Sequence, residues 1–126
     1  MEAKVKEVCT KIKVLNLSQG RLILEEAELA NSFGQRLKGL LGRKYLPWGT
    51  GLVIFPCRSV HTLGMSFPLD IGFVNQEGRL CRVYESVPTQ KINLSAKEAQ
   101  YAIEAPAGTF AITRTRENDR IGLKVL

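Results

Sequence analysis

Turn-forming residues punctuate this chain so often that few of its apolar segments have room to become long helices. Gln19-Gly20, Pro47-Trp48-Gly49, Ser66-Phe67-Pro68, Asn75-Gln76-Glu77-Gly78 and Ala107-Gly108 each combine residues that favour turns. Between them lie short apolar runs. Residues 11–17 (KIKVLNL) set Ile12 and Val14 in alternation with lysine and read as a first strand. RLILEEAELA (21–30) reads as its returning partner and GLVIFP (51–56) as a short buried strand. Residues 59–64 and 69–75 read as extended, and RLCRVYE follows across the NQEG turn as the second arm of a hairpin. Residues 87–94 read as extended and exposed, with AQYAIEAP (99–106) and IGLKVL (121–126) as the last strands.

One stretch has the other period. From Asn31 to Arg43, Phe33, Leu37, Leu40 and Leu41 fall on a single helical face. Ser32 and Gln35 stand at capping-box spacing, and Gly42 suits a helix end. Ser95 with Glu98 offers a second such box. Many short strands with one firm helix predict a mainly β (α+β) fold. The expected form is a compact β-sandwich or barrel-like sheet with one helix, at about residues 32–43, packed against it. Neither a repeat nor a linker divides the chain. Residues 1–126 read as one domain, with 1–10 as a loose N-terminal arm.

Several classes are excluded by what is missing. No apolar run is long enough to span a bilayer, and the charged N-terminal stretch lacks a signal-peptide core. Three cysteines, Cys9, Cys57 and Cys81, form neither a C-x-x-C motif nor a disulfide framework, which points to a reducing cytoplasm. Phosphate-loop glycine patterns are absent. With one histidine, His61, the chain has no zinc-hydrolase ligand set. The net charge of +6 invites a polyanion, but no recognised nucleic-acid motif accompanies it.

The chemically capable residues gather between Pro56 and Asn75 (PCRSVHTLGMSFPLDIGFVN). Cys57, His61 and Met65 are spaced by four and would share one face of an extended strand. Soft ligands of this kind suit copper, yet a blue-copper site needs two histidines; a cuprous site on these three alone stays the alternative to Cys57 and Met65 as core residues, and the expectation is no metal or other cofactor. Asp70, between Leu69 and Ile71, needs an arginine partner or backbone N–H groups if buried. Asp70, Glu104 or Asp119 could orient the His61 ring.

The order SFGQRLKGLLGR, GLVIFP, VHTLGMSFPLDIGFVN and YAIEAPAGTF resembles the domain-of-unknown-function 192 family over roughly residues 22–126. The R-x-x-GLLGR and H-T-x-x-M-x-x-P-L-D-I-x-F-V stretches are its most specific parts. The resemblance implies a compact, mostly β domain with a helix against it, and it implies no activity. Many relatives carry Gly-Asp where this chain reads Asn118-Asp119, and an aromatic-Met-Lys-Asn segment where it reads 60–65.

The leading expectation is a non-enzymatic domain with a pocket between the 56–70 segment and the 32–43 helix. His61, Asp70, Arg36, Arg43 and Arg58 are its expected polar lining, and the arginines favour a small anionic ligand. The alternatives are an enzyme using His61 and Asp70 as an acid–base pair, and a nucleic-acid-binding module using the basic surface. The sequence leaves the oligomeric state open.

Overall fold

The structure, a computed structural model, describes residues 10–126. The expected N-terminal arm therefore lies, but for Thr10, outside the described residues. Across the described residues nine strands and two short helices follow one another: β1 (Lys11–Asn16), β2 (Arg21–Ala30), α1 (Phe33–Lys38), β3 (Thr50–Ile54), β4 (Ser59–Val60), β5 (Leu69–Asn75), β6 (Leu80–Val87), β7 (Leu94–Ser95), β8 (Ala99–Pro106), α2 (Thr109–Ile112) and β9 (Ile121–Val125). Seven strands form one mixed sheet in the order β6-β5-β8-β3-β2-β1-β9, and β4 pairs with β7 in a small ribbon. Only β2 and β3 run parallel within it, joined by the long 31–49 crossover that carries α1.

The sheet is barrel-like because its two edge strands meet at one corner. An isolated bridge joins Arg79 to Arg120, flanked by Leu80 N–H donating to Asp119 O (2.9 Å) and Ile121 N–H donating to Gly78 O (2.8 Å). Asn118 turns the chain there at φ 74°. Asparagine tolerates this left-handed conformation better than most side chains.

Alternation along the central strands separates two cores. Val53, Val74, Tyr101, Ile103 and Ala105 point inside the curl with Ile12, Val14, Leu24 and Phe110. Leu52, Ile54, Leu69, Ile71, Phe73 and Ala102 point to the other face, where Leu40, Leu46, Val60 and Met65 cover them. Gly51 sits where strands approach closely. A Cβ there would meet the carbonyl oxygen of Glu104 and lie 2.6 Å from Leu24 Cδ1. Because a backbone atom cannot step aside as a side chain can, Gly51→Ala should lose about 3 kcal/mol, measured by urea unfolding. An alanine variant as stable as the parent would contradict this packing.

Two helical expectations are corrected. The 32–43 segment is helical only from Phe33 to Lys38. Its capping box is real, with Ser32 and Gln35 bonded reciprocally, but Gly39 (φ 50°) ends it and Gly42 (φ 85°) turns the chain again. The apolar face consequently divides. Leu40 enters the core from the turn, whereas Phe33 and Leu37 are 75% and 69% exposed. Ser95 starts no helix, since it pairs with Ser59 in the β4–β7 ribbon.

Candidate functional site

The turn at Gly39 folds residues 36–41 over the face of β3 and β8, and the 56–65 segment closes the other side. Arg36 fastens the two walls, its Nη1 donating to Pro56 O at 3.3 Å. Cys57 N–H bonds to Gln100 O at 2.9 Å, which holds the second wall against the sheet. Thr62 anchors the end of that wall. It is fully buried, its hydroxyl donates to Pro88 O and accepts from Lys91 N–H, both at 2.8 Å. The cleft between the two walls, open to solvent on one side, has a volume of about 360 Å³.

Leu40, Ile54, Val60 and Met65 give this cavity apolar walls. Arg36, Lys38, Arg58 and His61 give it a cationic and polar mouth. His61 is exposed, and its Nδ1 accepts Leu63 N–H at 3.2 Å, so Nε2 is the ring nitrogen left for an outside partner. Phe33 and Leu37, the exposed side chains of α1, stand at the same mouth.

At depth the cavity meets Glu104 of β8, which is 6% exposed. Its carboxyl makes no hydrogen bond or ion pair with the described residues. Burial pushes its pKa up to about 7, because no nearby cation offsets the desolvation of the charged form. Burial likewise pushes up the Cys57 thiol, whose Sγ donates to Ser59 O at 3.3 Å. Cys57, His61 and Met65 all line the cavity, but not as one face of an extended strand: the expected 59–64 strand is only Ser59–Val60, and the chain turns at Leu63-Gly64. No group of three His, Cys, Asp or Glu side chains among the described residues could hold a metal ion.

Of the five expected lining residues, the structure brings Arg36, Arg58 and His61 together and leaves two elsewhere. Asp70 is fully buried on the opposite face of β5. Its Oδ1 accepts Ser86 N–H at 2.7 Å, and its Oδ2 accepts Gly108 N–H at 3.1 Å and Phe110 N–H at 2.9 Å. It caps α2, whose N-cap residue Gly108 has no side chain to do so. The expected His61–Asp70 pair is therefore not formed. Arg43 turns away to Glu28 at 2.6 Å, and Lys11 bonds the same carboxylate at 3.1 Å. Burial would raise the Glu28 pKa, but these two cations outweigh it and hold the carboxyl below its ordinary range. Glu104, which lines the cavity where Asp70 does not, entered the sequence reading only as a candidate orienter of His61.

The family model DUF192, described as Uncharacterized ACR, matches residues 14–123. The fold is similar to that of a candidate transcription regulator from Sinorhizobium meliloti 1021, with 24% identity and a TM-score of 0.77 over 95% of this chain and 97% of that one. It is also similar to a protein of unknown function from Novosphingobium aromaticivorans DSM 12444, with 21% identity and a TM-score of 0.78 over 95% and 89% of the two chains. No curated protein matches. Among the described residues no helix is long and apolar enough to cross a membrane.

Proposed function

The chain belongs to the DUF192 family of uncharacterised proteins, and from its cavity we propose that it binds a small anionic molecule with an apolar body. One observation carries this reading: Arg36, Arg58 and Lys38 ring the mouth of a cavity whose walls are Leu40, Ile54, Val60 and Met65. Guanidinium groups suit a carboxylate because they present paired N–H donors in a fork of matching geometry. Apolar walls favour an aliphatic or aromatic remainder, since its transfer from water stabilises the complex. The volume of about 360 Å³ falls within the range of small-molecule pockets. The exposed Phe33 and Leu37 extend the apolar surface outward from the mouth, where a longer ligand would lie.

Short alkanoates, butanoate to octanoate, provide the test. Saturable binding by calorimetry is expected, with thermal stabilisation of about 2.7 kcal/mol at one hundred times Kd. The double variant Arg36→Ala/Arg58→Ala should weaken binding by about tenfold or more while circular dichroism shows the fold intact. Arg43→Ala, remote from the cavity, should leave binding unchanged. Equal binding by the double variant, or no binding by any chain length, would contradict the proposal.

A further inference from the structure

The cavity is polarised in a way that an anionic ligand alone does not satisfy. Cations ring its mouth, whereas its one acidic lining residue, Glu104, lies at depth. Glu104 occupies the middle of β8, opposite Leu52 of β3 and Ile71 of β5, so its backbone is fixed by two ladders. A mid-strand position between Ile103 and Ala105 is one where an apolar residue would pack without cost. A carboxyl placed there is desolvated without compensation until something brings it a donor. Arg36, the cation that binds the cavity wall, turns its Nε and Nη1 to the carbonyls of Ser32 and Pro56 rather than to Glu104, which leaves its Nη2 for the mouth.

We infer that the ligand carries a second, oppositely charged end: an amine that enters first and donates to the Glu104 carboxylate, an aliphatic spacer against Leu40, Ile54, Val60 and Met65, and a carboxylate held at the mouth by Arg36 and Arg58. This inference rests on the anion-binding reading above and extends it. The chemical class is an ω-amino carboxylate. Specificity follows from the two ends. An alkanoate of the same length leaves Glu104 unpaired, and an alkylamine leaves the arginines unpaired. The low exposure of Glu104 makes the inner pair the more selective of the two.

The test compares 5-aminopentanoate with pentanoate and 6-aminohexanoate with hexanoate, by titration calorimetry on the full chain. The amine-bearing member of a pair should bind about tenfold tighter or more. Glu104→Gln should remove that preference while still binding the alkanoate. The amine should also displace a proton. The other titratable and charged groups facing the cavity, Cys57, His61, Arg36, Lys38 and Arg58, stand on its walls and mouth. Free Glu104 titrates at about 7, so the amine pair should release about one proton per site at pH 6, read from buffers of different ionisation enthalpy, and Glu104→Gln should release none. Equal affinity within each pair, or a preference that survives Glu104→Gln, would overturn the inference and leave the anion site standing. Failure of every amine-bearing and amine-lacking probe to bind would overturn both.

Discussion

Replacing Glu104 with glutamine should stabilise the unliganded protein by about 3 kcal/mol at pH 8 and change little at pH 4. The folded carboxyl holds its proton to about pH 7, whereas the unfolded one loses it near 4.5. Between those values the folded state binds more protons than the unfolded state, so stability falls as pH rises. The contribution is fully present below 4.5 and gone once pH has passed about 7. At about 1.4 kcal/mol per tenfold difference in proton affinity, the total is about 3 kcal/mol. In a chain of this size that is a rise in Tm of about 10 °C. Glutamine carries no charge to desolvate, so the difference between the two stability–pH curves isolates this one group. Glu28 acts in the opposite sense and at lower pH, because its folded pKa is depressed; its contribution cancels in the difference. A Glu104→Gln variant no more stable than its parent at pH 8 would mean that the carboxyl already has a partner. Stabilisation by removing a group is the mark of a residue kept for something other than folding.

Asp70 behaves in the opposite way. Asp70→Ala should cost about 4 kcal/mol or prevent folding, because three backbone N–H groups would lose a charged acceptor. Those bonds hold distant pieces together. The pairing of β5 with β6 shifts register between Leu69 and Ile71, and Ser86, at φ 50°, stands at that irregularity. Asp70 pins Ser86 on one side and the start of α2 on the other. Asp70→Asn should lose about 2 kcal/mol, since its amide nitrogen would face a donor at one of the two oxygen positions. Neither change touches the cavity, so Asp70→Asn, where folded, should bind alkanoates as the parent does. Urea unfolding of both variants checks this; a loss under about 1 kcal/mol for Asp70→Ala would contradict the role.

The contrast between these two carboxylates shows what the sequence could express. Local signals were legible: the Gln19-Gly20 turn, the NQEG hairpin and the Ser32–Gln35 box all form, because each depends on residues a few positions apart. The length of α1 was not, since its apolar spacing continues through Gly39 and Gly42, whose positive φ angles end it. A four-residue α2 carries no periodicity to read. Arg36, Arg58 and His61 line the cavity because they sit in the two segments that make its walls. Asp70 was misplaced by one residue of parity. Leu69, Ile71 and Phe73 face the cavity side of β5, so their neighbours Asp70, Gly72 and Val74 face away. The same parity argument on β8 places Glu104 beside Ala102 on the cavity side, but only once β8 is known to lie between β3 and β5. That pairing joins segments about fifty and thirty residues apart, and nothing in YAIEAPAGTF alone announces it.

The most direct measurement is the carbon-13 resonance of the Glu104 side-chain carboxyl, followed from pH 4 to 9 with and without 6-aminohexanoate. The account predicts a midpoint at about 7 in the free protein, falling when the probe binds, as hexanoate cannot make it do. A midpoint in the ordinary carboxylate range, or one near 7 that the amine leaves unmoved, would contradict it.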